Sequence, residues 1–324
     1  MKWSITKSKM FSQCQRKWYY SGIMANHISK DTLRREAYLL KQLQSLYAWR
    51  GSLVDDVIEK LIVPRMRCGI LPSESEVVDF SMKLMDQQIE FGIAAKHRCQ
   101  NMIKSNGNGA YCAFYDVEYN GGLDEKTLQD ARQEVKTSLV NLLQSSFIKD
   151  IMRNSSTLIA QRSLMFEFEK TTISCTPDLI VLAKQDRPLI VDWKVHAFGD
   201  ADSWLQLGVY AVALASVKPH KDFPPSIQHV LKDPTNIRLV EYQLLKNKQR
   251  EYSISLEDID DIYDYIFRSC SEMNRLVKGR KYEELDMNQF QTARSPSVCE
   301  KCQFKKLCWK KMPVQTGLLE VEWA

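Results

Sequence analysis

The 324 residues include 45 basic and 40 acidic side chains, a net charge of +5, with 44% hydrophobic and 26% charged residues. This balance excludes a disordered polyelectrolyte, and the absence of any apolar run near the ~20 residues of a membrane span excludes a helical membrane protein. The start, MKWSITKSKMFSQCQRKW, lacks the apolar centre of a secretory signal, so a soluble cytoplasmic chain with no membrane partner is expected.

In chain order, residues 5–20 have helical spacing, with Ser4 as N-cap and Met10, Phe11, Trp18 and Tyr19 as the apolar positions. Residues 31–63 predict one long helix or two, broken near Gly51 and stopped by Pro64. From 73 to 149 the pattern stays helical, with turns at 105–109 and 120–122. The period then changes to that of strands at 158–168, 172–182 and 188–195, followed by a helix over 203–217. Two more strands are expected at 237–246 and 251–255, then a helix over 257–277 and a short basic tail from 290. The expected class is α/β: a helical N-terminal region over 1–157, a mixed-sheet core over 158–289 and a cysteine-bearing segment over 290–324.

Asp178 follows Pro177 in one expected strand, and Asp192 and Lys194 flank Trp193 on the next. Residues two apart on a strand project to the same face, so Asp192 and Lys194 point together while Trp193 points away. If the strands pair, two carboxylates and an ammonium meet, and charges beside the apolar run Leu189-Ile190-Val191 are costly unless paired or metal-bound. Carboxylate oxygens suit Mg²⁺ or Mn²⁺, and a lysine can orient water or stabilise negative charge, which is what phosphodiester hydrolysis needs. The bland reading is a strand pair bearing solvated charges.

The set Pro177-Asp178 and Asp192-Trp193-Lys194 resembles the PD-(D/E)XK nuclease superfamily. Gln206-Leu207-Gly208-Val209-Tyr210 resembles the Gln-(x)₃-Tyr motif of its RecB-like branch, with Gln206 and Tyr210 on one helical face. The resemblance implies a restriction-endonuclease-like mixed sheet flanked by helices, with Asp178, Asp192, Lys194, Gln206 and Tyr210 in the catalytic centre. That branch also carries Gly-x-x-x-His, whose histidine binds metal. Here Gly51-Ser52-Leu53-Val54-Asp55 puts Asp55 in its place, with Asp56 beside it. Asp55, Asp178 and Asp192 are thus the implied metal ligands, with Glu167 or Glu169 as an upstream acid.

Of nine cysteines, Cys68, Cys99, Cys112, Cys175 and Cys270 are scattered and read as buried small hydrophobes. Cys299, Cys302 and Cys308 form C-x₂-C-x₅-C, a spacing that suits a metal and not a disulfide framework. Cys14 is the candidate fourth ligand. The same order of cysteines resembles the AddB nuclease domain, the CRISPR-associated RecB-like exonucleases and the nuclease domain of the eukaryotic replication helicase-nuclease. The resemblance implies a four-iron four-sulfur cluster held by Cys14, Cys299, Cys302 and Cys308, closing the chain end to end. A structural zinc with the same four thiolates is the competing reading.

Five lysines (Lys301, Lys305, Lys306, Lys310 and Lys311) stand against one glutamate over 299–311. With this basic stretch, the resemblance implies a Mg²⁺- or Mn²⁺-dependent deoxyribonuclease, an exonuclease acting on single-stranded DNA or DNA ends. Protein partners in a repair, CRISPR or defence complex are also implied. A catalytically silent DNA-binding or assembly subunit is the alternative, favoured only by the missing histidine. Trp18, Tyr19 and Trp309 could stack on bases or pack around the cysteines. None of the five histidines shows ligand spacing.

Overall fold

The computed structural model describes residues 2–99, 102–107, 109–183, 187–196 and 200–310, so Lys311 lies outside the described residues. The chain opens with β1 (Lys2–Trp3), α1 (Ile5–Gln13), α2 (Gln15–Tyr19), α3 (Thr32–Lys41), α4 (Leu46–Val57) and α5 (Val63–Arg67). Helices α6 (Glu74–Ile93), α7 (Tyr115–Tyr119), α8 (Glu125–Gln144) and α9 (Ser146–Asn154) follow. Next come β2 (Ser155–Ala160), β3 (Leu164–Phe168), β4 (Thr171–Cys175), β5 (Leu179–Ala183), β6 (Leu189–Lys194) and α10 (Asp200–Ala215). The remainder is α11 (Gln228–Leu231), β7 (Arg238–Gln243), β8 (Lys248–Tyr252), α12 (Leu256–Val277), α13 (Pro296–Glu300) and α14 (Lys305–Lys310). Among the described residues, no helix is long and apolar enough to cross a membrane.

The chain divides into two units, one of residues 1–8 and 44–279, the other of 9–43 and 280–324. The first holds both sheets: a three-stranded sheet ordered β1-β4-β3 and a five-stranded sheet ordered β2-β5-β6-β7-β8. The β6–β7 pair is parallel and the other pairs of the larger sheet are antiparallel. This is the mixed α/β architecture expected, with helices on both faces of the larger sheet. Alternation along the strands explains the layering. Leu179, Val181, Leu189, Val191 and Trp193 pack with the helical block α4, α6, α8 and α9. Their neighbours Ile180, Leu182 and Ile190 pack on Leu207, Tyr210 and Leu214 of α10.

Four expectations are corrected. The strand expected over 158–168 is two strands in different sheets, separated by Gln161 at φ 47°. The strand expected over 172–182 is likewise cut in two, because Pro177 has no N–H to give a ladder, and Asp178 precedes β5 instead of lying inside a strand. Gly51 lies within α4, and the real break is Gln42–Ser45, where Ser45 caps α4 by accepting from Ala48 N. Pro64 does not stop the helix: it sits in the first turn of α5, after a π turn over Ile58–Ile62.

In the second unit, the N- and C-terminal segments are joined by backbone and ring contacts. Arg16 N donates to Gln291 O at 3.1 Å, and Arg16 Nε to Phe290 O at 3.0 Å. Tyr19 stacks on Phe290 at 4.6 Å and Tyr20 on Phe304 at 5.4 Å. Trp18 and Tyr19 are buried in this packing, which leaves neither ring available to a base, whereas Trp309 is 48% exposed.

Candidate active site

The antiparallel register pairs Leu179 with Val191, which sets Asp178 beside Asp192 at the ends of β5 and β6. Asp178 Oδ2 accepts the backbone N–H of Trp193 at 2.8 Å, and Oδ1 accepts Gln161 Nε2 at 3.1 Å. Asp192 is buried at 2% exposure, with Oδ2 ion-paired to Lys194 Nζ and Oδ1 accepting Gln206 Nε2 at 3.0 Å. The same Gln206 nitrogen donates to the Tyr210 hydroxyl at 2.6 Å, one turn along α10. Trp193 packs on the other face, as alternation requires.

Asp55 of α4 joins this group electrostatically. Burial raises its carboxyl, Asp192 adds to the rise and Lys194 opposes it, and the result is a pKa of about 7. Asp178 is pushed well above the usual carboxylate range by burial, then by Asp192 and Asp55. Burial opposes the charge on Lys194, but Asp192, Asp178 and Asp55 outweigh it and raise its pKa. Burial, with Asp192 and Asp178 beside it, keeps Tyr210 protonated. Asp56 pairs with Lys60 at 2.9 Å. Glu167 is exposed and accepts from Thr172 Oγ1, and Glu169 is exposed in a left-handed turn, so neither joins the carboxylates.

Three hard oxygen donors and one ammonium at a buried spot fit a divalent cation chemically, since a cation would offset both the burial and the neighbouring carboxylates that raise Asp55 and Asp178. As the side chains stand, among the described residues no group of three or more His, Cys, Asp or Glu is disposed to hold a metal ion. Lys194, Gln206, Gln161 and the Trp193 amide engage the oxygens of Asp192 and Asp178.

Sequence reasoning missed two neighbours. Glu241 is fully buried, lies beside Asp192 in the parallel β6–β7 register and accepts from Gln243 Nε2 at 2.6 Å. The signal was an acidic residue at an alternating position in Arg238-Leu-Val-Glu-Tyr-Gln243. His196, two residues past Lys194, approaches Glu134 Oε2 at 3.3 Å, and Arg50 donates to the same oxygen. No local spacing links Arg50, Glu134 and His196, so only the fold could reveal them.

In the second unit Cys14, Cys299, Cys302 and Cys308 line one small cavity of about 20 Å³, with Arg16, Lys17, Phe304 and Trp309 around them. Cys14 is the N-cap of α2, and its Sγ accepts from Lys17 N at 3.4 Å. The other sulfurs have comparable support: the Ala293 backbone at Cys299, the Phe304 backbone at Cys302 and the Arg16 side chain at Cys308. Burial raises these three thiols, Cys302 to about 11, and nearby cysteines push the same way. The four thiols are unbridged and each has a polar donor, but as the side chains stand they do not form a group disposed to hold a metal ion. Cys112, Cys175 and Cys270 are buried as expected, but Cys68 and Cys99 are exposed, which corrects the expectation for those two. Cys68 ends α5 and Cys99 ends a 3₁₀ turn, places where the chain turns outward.

A family model described as the PD-(D/E)XK nuclease superfamily matches residues 2–309. No curated protein matches the chain. Among solved structures the chain is similar to that titled "Crystal structure of SSO0001", at 12% identity and a TM-score of 0.30, covering 72% of this chain and 98% of that one. It is also similar to protein VC1899 from Vibrio cholerae, at 12% identity and a TM-score of 0.24, covering 75% of this chain and 57% of that one. Likeness this distant carries no argument about function.

Proposed function

The chain belongs to the PD-(D/E)XK nuclease superfamily, and we propose that it is a metal-dependent deoxyribonuclease with Asp178, Asp192 and Lys194 as its centre. The observation that carries this reading is the meeting of those three side chains at the ends of two paired strands, with Asp55 coupled to them from α4. Asp55, Asp178 and Asp192 would hold the cation, Mg²⁺ or Mn²⁺. When bound, it would supply positive charge to the phosphate and make water a stronger acid.

The chain's own residues do the rest. Trp193 N–H and Gln161 fix the Asp178 carboxylate, so its orientation is set by the backbone of the adjacent strand. Gln206 holds Asp192 Oδ1 and is itself tied to Tyr210, so α10 acts as a brace on the strand. Lys194 stays charged and can donate to a phosphate oxygen or to the attacking water, placing positive charge where negative charge develops.

Single-stranded DNA or DNA ends as substrate, and exonuclease action, belong to this proposal through the likeness to RecB-like enzymes. So does a structural four-iron four-sulfur cluster on Cys14, Cys299, Cys302 and Cys308. Supporting the cluster is the lining of one small cavity by all four cysteines. It would join residues 285 positions apart within the second unit (299 − 14) and add its binding free energy to the folded state. Partners in a repair, CRISPR or defence complex and a cytoplasmic location complete the proposal. Cleavage of end-labelled single-stranded DNA by purified protein, with Mg²⁺ or Mn²⁺ against a chelator, tests it.

A further inference from the structure

Gln161 stands where the chain leaves β2 of the larger sheet for β3 of the smaller one. Its backbone is left-handed, at φ 47°. A residue with a Cβ takes that conformation at a cost, and glycine or asparagine is its usual occupant. Among the described residues, the other non-glycine residues with positive φ sit in simple turns. Ala95 and Lys278 follow the ends of α6 and α12, and Glu169, Lys170 and Asn247 lie between paired strands.

Gln161 differs in what it holds. Its backbone N–H donates to the Asp178 carbonyl at 3.0 Å, one step beyond the Ala160–Leu179 pair of the β2–β5 ladder. Its side-chain Nε2 donates to Oδ1 of the same aspartate at 3.1 Å. One residue therefore grips Asp178 by main chain and carboxylate together, while the Trp193 N–H takes the other oxygen. Glycine at 161 would relieve the backbone but leave Oδ1 without that amide. Strain kept where a side chain touches a buried carboxylate centre points to function.

We propose that Gln161 is a positioning residue: its amide sets the Asp178 carboxylate to receive the divalent cation, and the left-handed backbone is kept for the sake of that side chain. The proposal rests on the nuclease reading for the cation. Gln161 lies outside both the carboxylate–lysine and the Gln-(x)₃-Tyr motifs. An N–H on each oxygen fixes the rotation of the carboxylate and leaves each oxygen a further lone pair for a metal. Gln161 touches neither cation nor DNA and acts through Asp178.

The test compares Gln161→Gly and Gln161→Ala with the wild type, each as the full chain. Melting is measured in a chelator, and Mn²⁺ affinity by loss of the free-ion electron paramagnetic resonance signal in the absence of DNA. Gln161→Gly should melt higher than Gln161→Ala, because only alanine keeps the left-handed strain. Both should bind Mn²⁺ roughly tenfold more weakly than the wild type, since both lack the amide. The Mn²⁺ concentration for half-maximal cleavage should rise by the same factor. With a merely structural residue, affinity would instead follow stability. Wild-type Mn²⁺ affinity in Gln161→Gly would overturn the proposal, and this arm stands even if Gln161→Ala fails to fold. No Mn²⁺ binding by the wild type would overturn it too. Weaker Mn²⁺ binding by both variants of a protein that never cleaves DNA would keep the positioning role and remove the nuclease reading.

Discussion

The backbone amide of Trp193 donates to Oδ2 of Asp178 at 2.8 Å, so the peptide between Asp192 and Lys194 anchors the carboxylate of the neighbouring strand. Strand pairing and the site are therefore one arrangement: any slip in the β5–β6 register would separate Asp178 from Asp192. Asp178→Ala and Lys194→Ala should each lower cleavage on the order of 10³-fold or more. Circular dichroism should stay close to that of the wild type, since neither side chain belongs to the apolar clusters on the two faces of the sheet.

The brace on Asp192 should have a smaller effect. Gln206→Ala removes a hydrogen bond to the Oδ1 oxygen and one to Tyr210. A loss of one charge-assisted bond of about 2 kcal/mol corresponds to roughly 30-fold in kcat. Gln206→Glu would place a fourth carboxyl against Asp192 and should be worse than alanine.

Asp55 gives a dependence on pH whose sign is fixed. Its pKa is raised from 3.8 to about 7, so in metal-free protein its contribution to stability is fully present below 3.8 and is lost as pH rises through 7. The difference in Tm between wild type and Asp55→Asn, measured in a chelator, should shift in favour of the asparagine variant between pH 5 and pH 8. A saturating divalent cation should reverse this at pH 8 by binding only the wild type well. Asp55→Ala should lose most of the cleavage, and Asp55→His should keep activity while moving its preference toward Mn²⁺.

Much of this site could be read before the fold, because its pattern is local. Asp192, Lys194, Gln206 and Tyr210 lie at spacings that a strand or helix turns directly into shared faces. Asp178 was expected within a strand, but Pro177 puts it ahead of β5. The two-sheet division was not legible, since 158–168 and 172–182 each look like a single apolar stretch and only the turns at Gln161 and Pro177 divide them. Glu134 and Arg50 were invisible for a different reason: each owes its place to residues far away in sequence.

The four cysteines make a separate test. Anaerobically prepared protein should be brown and contain about four irons per chain, and Cys14→Ser should remove the iron and lower Tm. Cys68→Ser and Cys99→Ser, at exposed positions outside the cavity, should do neither. One zinc and no iron would replace the cluster by a zinc clasp.

Packing of the helical block also has a clear weak point. A Cβ at Gly92 would lie 2.4 Å from the ring of the fully buried Phe114. Gly92→Ala should cost about 1–3 kcal/mol in urea unfolding despite alanine's better helix propensity, and Phe114→Leu should restore part of the loss by making room.

The central claim is that Asp178, Asp192 and Lys194 form a metal-dependent phosphodiesterase centre. The most direct measurement is cleavage of end-labelled single-stranded DNA by wild type and Asp192→Ala, purified side by side, with Mg²⁺, with Mn²⁺ and with a chelator. Cleavage by the wild type in metal, absent in the chelator and reduced at least about 10³-fold in Asp192→Ala, is the expected result. Equal cleavage by both proteins, or none by the wild type with either metal, would contradict it.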